Sequence, residues 1–273
     1  MMLKDKVAVI TGGASGIGRA TLLKLAEEEV AAIGVVDICD NLESLCQETN
    51  AELGRNLLHP FRGDVVDGSF REEVFSKMEA EFGAVSLCIP AAGITRDRLS
   101  VKVTGNNGSV DLNIYSEEDF RRVIDIDLIA PIYWAMRTVG SVAKKRKSSG
   151  LKAWQPEESV QGAVVLIGSI SSAGNRGQVS YATAKAGLEG AQATLATEAI
   201  FYGVRCAIIH PGFTDTPMVR SMGESIIREQ ILPNTQLRRL IRPDEIAGAI
   251  VFMLKNSAVS GALWADAGWH PTA

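Results

Sequence analysis

The sequence predicts an α/β fold, a doubly wound parallel sheet of about seven strands with helices on both faces. Two observations predict it. Short apolar runs rich in β-branched residues alternate with amphipathic stretches of helical length, the pattern of a parallel sheet covered on both sides. The first of these runs opens through a glycine-rich turn into a helix, as at the start of a βαβ unit. With 273 residues, 46% of them hydrophobic, the chain can bury a full core as one domain.

In chain order, strands are predicted over 7–10, 31–36, 57–61, 85–89, 164–167, 204–209 and 262–264. Helices are predicted over 18–28, 41–53, 70–82, 117–145, 181–202 and 243–254. Ser116-Glu117-Glu118-Asp119 resembles a capping box, and Pro243 suits a first helical position, where its missing N–H does no harm. Two segments interrupt the alternation. Leu99, Val101 and Val103, then Val110, Leu112 and Ile114, are spaced two apart around Gly105-Asn106-Asn107-Gly108, which reads as an inserted β-hairpin over 97–115. The polar stretch 147–162, with Gly150 and Pro156, reads as a surface-loop insertion.

The formal net charge of −4 gives no reason to expect nucleic-acid or anionic-lipid partners. The basic cluster Lys144-Lys145-Arg146-Lys147 reads as a solvated helix end complementing the helix dipole, the alternative being a contact patch. The N-terminal residues show no leader pattern and no apolar stretch long enough to span a bilayer, so a cytoplasmic location is the default expectation. Cys39, Cys46, Cys88 and Cys206 lack metal-ligand spacing and are expected to be free thiols, and His59, His210 and His270 are equally dispersed, so no metal site is expected.

The turn after the first strand is Thr11-Gly12-Gly13-Ala14-Ser15-Gly16-Ile17-Gly18. Glycines there permit close approach of backbone to a pyrophosphate, and the helix N-terminus offers unpaired N–H groups to the anion. Gly12, Ser15, Gly16, Ile17 and Gly18 are the candidate contacts, in a Rossmann-type dinucleotide site. Asp37 ends the second strand 19 residues after Gly18, where a carboxylate accepts hydrogen bonds from ribose hydroxyls and repels a 2′-phosphate. NAD is therefore expected over NADP, the competing reading being that Asp37 only caps the next helix, a task open to Asp40. Asp64 and Val65, after the third strand, are adenine-pocket candidates or a plain turn.

Further along stand Ser169, within Ile167-Gly168-Ser169, and Tyr181-Ala182-Thr183-Ala184-Lys185. Residues four apart share a helix face, so the Lys185 ammonium can sit beside the Tyr181 phenol. With the glycine loop and this ordered set, nearly the whole chain resembles the short-chain dehydrogenase/reductase family. The resemblance implies that Tyr181 is the general acid/base, that Ser169 holds the substrate oxygen, and that Lys185 binds nicotinamide ribose and lowers the tyrosine pKa. A phenol of pKa about 10 needs such a cation to act near neutral pH. Ser171 and Ser172 rival Ser169, because its spacing to Tyr181 is one residue shorter than the family's. By the same resemblance Ala91, Ala92 and Gly93 line the cofactor, and Pro211, Gly212, Thr214 and Thr216 contact the nicotinamide.

Pro90-Ala91-Ala92-Gly93 stands where the family carries Asn-Asn-Ala-Gly, and Asp266-Ala267-Gly268 where it carries Asp-Gly-Gly. Asp127 takes the place of a helix asparagine that supports a proton relay to the lysine: either its carboxylate acts on Lys185, or only its backbone matters. The motifs look most like the 3-oxoacyl-thioester reductase branch, implying a small carbonyl or secondary-alcohol substrate, selected by 171–178, Phe213 and 218–232, where Met218 and Met222 offer adaptable contacts or form part of an ordinary amphipathic helix. Alanine or glycine fills nine of the eighteen positions 182–199, which allows close helix approach, either to the chain's own sheet or in the homo-tetramer or dimer the resemblance implies. A different class of function, a catalytically weak NAD-binding sensor or scaffold, is the alternative raised by Pro90, Ala91 and Asp127.

Overall fold

The computed structural model describes residues 1–105 and 110–269. Asn106, Asn107 and Gly108 of the expected hairpin turn, and His270, lie outside them. The elements run β1 (Val7–Thr11), α1 (Gly16–Ala26), β2 (Ala32–Asp37), α2 (Leu42–Leu53), β3 (Leu58–Arg62), α3 (Gly68–Phe82), β4 (Val85–Pro90), β5 (Val101–Thr104), β6 (Asp111–Ile114), α4 (Glu117–Ile124), α5 (Ala130–Ser148), β7 (Gly162–Ile167), α6 (Val179–Ala199), β8 (Val204–Pro211), α7 (Pro217–Arg220), α8 (Glu224–Ile226), α9 (Pro243–Lys255) and β9 (Ala262–Ala265).

Seven strands form one parallel sheet in the order β3-β2-β1-β4-β7-β8-β9. Period-two alternation sorts the strand residues between its faces. Ala8 and Ile10 of β1 pack with Leu22 and Leu25 of α1, Leu42 and Cys46 of α2, and Ile246, Ile250 and Met253 of α9. Val7 and Val9 face the opposite core, with Val74, Phe75 and Met78 of α3, Trp134 and Ala135 of α5, and Leu188 and Leu195 of α6. Crossovers leave β1 toward one edge and β4 toward the other. The crevice at this reversal, beyond the strand carboxyl ends, is where such sheets bind ligands.

The helix predicted over 117–145 is not a uniform α-helix. Ser116 starts it by accepting from the Asp119 N–H at 3.2 Å. At 125–129 it widens into a π turn before continuing as α5. A π turn inserts one residue into the helical repeat and re-aims the side chains it carries, here Asp127. Strands β4 and β7 pair at Leu87–Ala163 and Cys88–Val164, short of the carboxyl end of β7, where Lys185 takes the Ile167 carbonyl at 3.1 Å.

Arg146 corrects the reading of the basic cluster as solvated. Its guanidinium is 2% exposed and is held by Glu158 at 2.6 and 3.0 Å and by the Lys152 carbonyl at 3.0 Å, tying the segment after α5 to the helix. Strands β5 and β6 pair antiparallel, Val101 opposite Ile114 and Val103 opposite Leu112, and these four side chains remain 55–65% exposed. Cys46, Cys88 and Cys206 are buried and Cys39 half-buried, all as free thiols.

Trp134, fully buried, stacks obliquely on Phe75 at 5.7 Å and donates from Nε1 to the Val65 carbonyl at 3.0 Å. Trp134→Ala is expected to destabilise the protein by about 3–5 kcal/mol, the scale of a truncated buried aromatic. Chemical denaturation checks this, and a loss below about 1 kcal/mol would show that the site collapses around the deletion.

Candidate active site

A cleft of about 380 Å³ opens at the reversal of strand order, lined by Gly12, Ser15, Gly16, Ile17, Gly18, Asp37, Asp64, Val65, Ala91, Ala92, Gly93, Asp127, Tyr181, Lys185 and Thr216 among others. Local sequence shapes each wall. Gly12 has φ +67°, and a Cβ there would stand 2.7 Å from the Ala92 nitrogen, so the β1 and β4 loops meet only because residue 12 lacks a side chain. Ala91 and Ala92 donate their N–H groups to the Thr11 carbonyl and hydroxyl, at 3.0 and 3.2 Å. Ser15 is extended and caps α1 with no side-chain bond, which leaves the first-turn N–H groups available to an anion.

Asp37 does not cap α2. Its Oδ2 accepts from the Ala14 N–H of the glycine loop at 3.0 Å, and its Oδ1 from the N–H groups of Ile38 and Cys39 at 2.8 and 3.2 Å. Asp40 instead pairs with Arg62. Asp64 accepts from Arg122 of α4 at 3.0 Å, a cleft residue that nothing in the sequence singled out. An anion-ready helix end, a backbone-close glycine loop and a carboxylate at the tip of β2 together fit an adenine dinucleotide.

A second cavity of about 290 Å³ adjoins the cleft and shares Ile17, Ile167, Tyr181, Thr216 and Met218 with it. Its apolar wall includes Ile170, Phe213, Met218, Val219 and Met222. Its polar wall is a chain in which Ser171 Oγ donates to Gln178 Oε1 at 2.8 Å and Gln178 Nε2 donates to Asp97 at 2.7 Å. Pro211, Gly212 and Thr214 line this cavity rather than the cleft.

Tyr181 stands at the junction of the two spaces. Lys185, one helical turn on, places Nζ 5.3 Å from the phenol ring centroid. Behind it, Asp127 Oδ2 lies 3.2 Å from Nζ, and Oδ1 accepts from the Ile94 N–H at 2.9 Å. Ser169 lies in the second cavity with Tyr181, and its Oγ accepts from the Ser171 N–H at 3.0 Å. Of its rivals, Ser171 is spent in the Gln178 chain, and Ser172 lines neither cavity.

A family profile described as enoyl-(acyl carrier protein) reductase matches residues 12–270. The chain is 32% identical over 259 residues to the 3-oxoacyl-[acyl-carrier-protein] reductase of Thermotoga maritima, covering 94% of each. It is 30% identical over 269 residues to the (3R)-3-hydroxyacyl-CoA dehydrogenase of Rattus norvegicus, covering 94% of this chain and 92% of that protein. It is 30% identical over 277 residues to the acetoacetyl-CoA reductase of Synechocystis sp., covering 99% and 98%. The chain belongs to the short-chain dehydrogenase/reductase family.

In this family member the electrostatics turn on burial. Burial pushes the Tyr181 phenol up from its ordinary value; Lys185 and the Ser169 side chain pull it down, while Asp127 pushes it further up, and the net direction is upward. Burial works against the Lys185 ammonium, yet Asp127 and Tyr181 hold its pKa above the ordinary lysine range. Asp127 is itself raised by burial, against the pull of Lys185 and of the Ile94 N–H. A Cβ on residue 93 would stand 2.8 Å from Oδ2, so glycine there leaves the carboxylate room. The Asp127 side chain is thus aimed at Lys185, as only one of the two sequence readings required.

Asp127→Asn is expected to lower the pH at which the Tyr181 phenol ionises, because the substitution removes a negative charge that disfavours phenolate. NMR titration of ring-labelled tyrosine checks this, and coincident titrations in the two proteins would count against the carboxylate's influence.

Proposed function

We propose that this protein is an oxidoreductase that interconverts a ketone, of the 3-oxoacyl thioester class or similar in size, with the matching secondary alcohol, using NAD(H). The observation that carries the reading is the position of Tyr181, between a cleft suited to a dinucleotide and an apolar cavity, with Ser169 on one side and the Lys185–Asp127 pair on the other. A nicotinamide dinucleotide supplies or accepts the hydride. In the reductive direction Tyr181 gives its phenolic proton to the substrate oxygen as negative charge develops there. Ser169 hydrogen-bonds that oxygen, and the Lys185 ammonium favours the phenolate left behind.

NAD is preferred in this reading because Asp37 is held by three backbone N–H groups at the tip of β2, where a 2′-phosphate would meet its charge. Asp64, Val65 and Arg122 hold the adenine end, while Thr216, which lines both spaces, approaches the carboxamide. The substrate class follows the apolar cavity and the printed activities of the relatives, which act on acyl thioesters of a carrier protein or of CoA. The protein works as a homo-oligomer, dimer or tetramer, through the exposed small residues Ala186, Gly190 and Ala193 of α6 and the exposed stripe Ile129, Tyr133 and Met136 beside it. Among the described residues no helix is long and apolar enough to cross a membrane.

The kinetic test compares kcat/KM for NAD(H) and NADP(H) with acetoacetyl-CoA. Native protein is expected to favour NAD(H) and Asp37→Ala to narrow the preference; equal use of NADP(H) by the native protein would remove the assignment. Tyr181→Phe is expected to keep dinucleotide affinity and lose about 100-fold or more in kcat. Near-native turnover would place the proton elsewhere, and dinucleotide binding without turnover in the native protein would favour a sensor or scaffold. Lys185→Ala should raise the dinucleotide KM as well as lower kcat, and unchanged affinity would deny it a ribose contact.

A further inference from the structure

β7 and β8 pair in register as far as Ile167–Ile209, so the next residues outward, Gly168 and His210, stand side by side. A Cβ on residue 168 would lie 2.6 Å from His210 Nδ1, so the ring occupies the space a side chain would need. The imidazole is 0% exposed and stacks on Trp264 of β9, centroids 4.2 Å apart and planes 15° from parallel. Its Nδ1 lies 3.3 Å from the Ser169 nitrogen and 3.1 Å from the Ser169 carbonyl oxygen. Its Nε2 lies 3.8 Å from Glu189 Oε1, one turn beyond Lys185 on α6.

A neutral imidazole carries one N–H, so Nδ1 cannot accept from the Ser169 N–H and donate to the Ser169 carbonyl at once. Burial keeps the ring neutral, pushing its pKa below the ordinary histidine value. The charged groups acting on it are Glu189, which favours a proton on the ring, and Lys185, which disfavours one, both from α6. The Ser169 N–H is a donor whatever the tautomer and is aimed at Nδ1, so the neutral proton belongs on Nε2 and Nδ1 is left bare.

We propose that His210 is a positioning residue for Ser169: its bare Nδ1 accepts the Ser169 N–H and, with the Ser171 N–H on Oγ, fixes the serine hydroxyl against substrate oxygen and Tyr181. The proposal rests on the reading of Ser169 as the substrate-holding hydroxyl. Protonating the ring places a hydrogen on Nδ1, which then donates to the Ser169 carbonyl, and the Ser169 N–H loses its acceptor. The Ser169 peptide turns and kcat falls on the acid side.

The test compares native protein with His210→Ala, His210→Asn and Ser169→Ala, measuring kcat, dinucleotide affinity and the pH dependence of kcat. His210→Ala is expected to lose about 10–100-fold in kcat, the scale on which a displaced catalytic group lowers rates, with dinucleotide affinity unchanged. Asparagine sets an amide oxygen where Nδ1 stands, but like alanine it lacks the stacked ring, so recovery of kcat in His210→Asn isolates the acceptor from packing. His210→Asn should also lack the acid limb that His210 gives the native enzyme. Equal kcat in the alanine and asparagine variants overturns the proposal, as does an unchanged acid limb in His210→Asn, which decides the matter even if His210→Ala does not fold. Near-native kcat in Ser169→Ala overturns the reading of Ser169 and the positioning role with it; an inactive Ser169→Ala beside a fully active His210→Ala overturns the positioning role alone.

Discussion

The buried ion pair between Asp127 and Lys185 is the constraint around which the site is arranged. Both groups are removed from water, with side-chain exposures of 0% and 5%, so each charge depends on the other and on the hydrogen bonds around it. Stranding one member of such a pair typically costs about 3–5 kcal/mol. The surroundings are built for it. The π turn aims Asp127 inward, residue 93 has no side chain to obstruct Oδ2, the Ile94 N–H holds Oδ1, and the Ile167 carbonyl accepts a hydrogen bond from the ammonium. Lys185 then stands as a fixed positive charge beside a phenol whose burial alone would keep it protonated.

Two departures from regular pairing make room for this. The glycine loop uses the reversal of strand order between β1 and β4, where crossovers run to opposite sides and leave a crevice. Beyond Cys88 and Val164 lies the carboxyl end of β7, whose Ile167 carbonyl is turned to the helix carrying Tyr181 and Lys185. The ends of β4, β7 and β8 thus bring three distant segments of chain, near residues 93, 169 and 210, within reach of one phenol.

Much of this was legible in the sequence because it depends on local patterns. Alternating apolar runs marked the strands, and a glycine loop followed by Asp37 marked residues that line the cleft at the reversal of strand order. The structure brings Ser169, Tyr181, Lys185 and Asp127 to that cleft and its neighbour. What was hidden depends on non-local packing. The π turn interrupts a stretch whose composition is simply helical, and nothing local distinguishes position 125 from its neighbours. Arg146 sits in a run of lysines, and only the return of the chain at Glu158 buries it. Arg122 reaches Asp64 across 58 positions of sequence, and His210 reads as a dispersed histidine just past an apolar strand until β7 is laid beside it.

The burial of the cysteines bears on how this protein meets oxidants and alkylating agents. Thiols react as thiolates, and desolvation pushes Cys46 to about 11 and Cys88 and Cys206 to about 12. Half-buried Cys39, next to the cleft residues Asp37 and Ile38, is also raised, by its burial and by the neighbouring charge of Asp37. The Asp37 carboxylate, which lines the cleft, therefore adds to burial in disfavouring the thiolate of the sulfur beside it. The sulfur beside the cleft is thus chemically quiet.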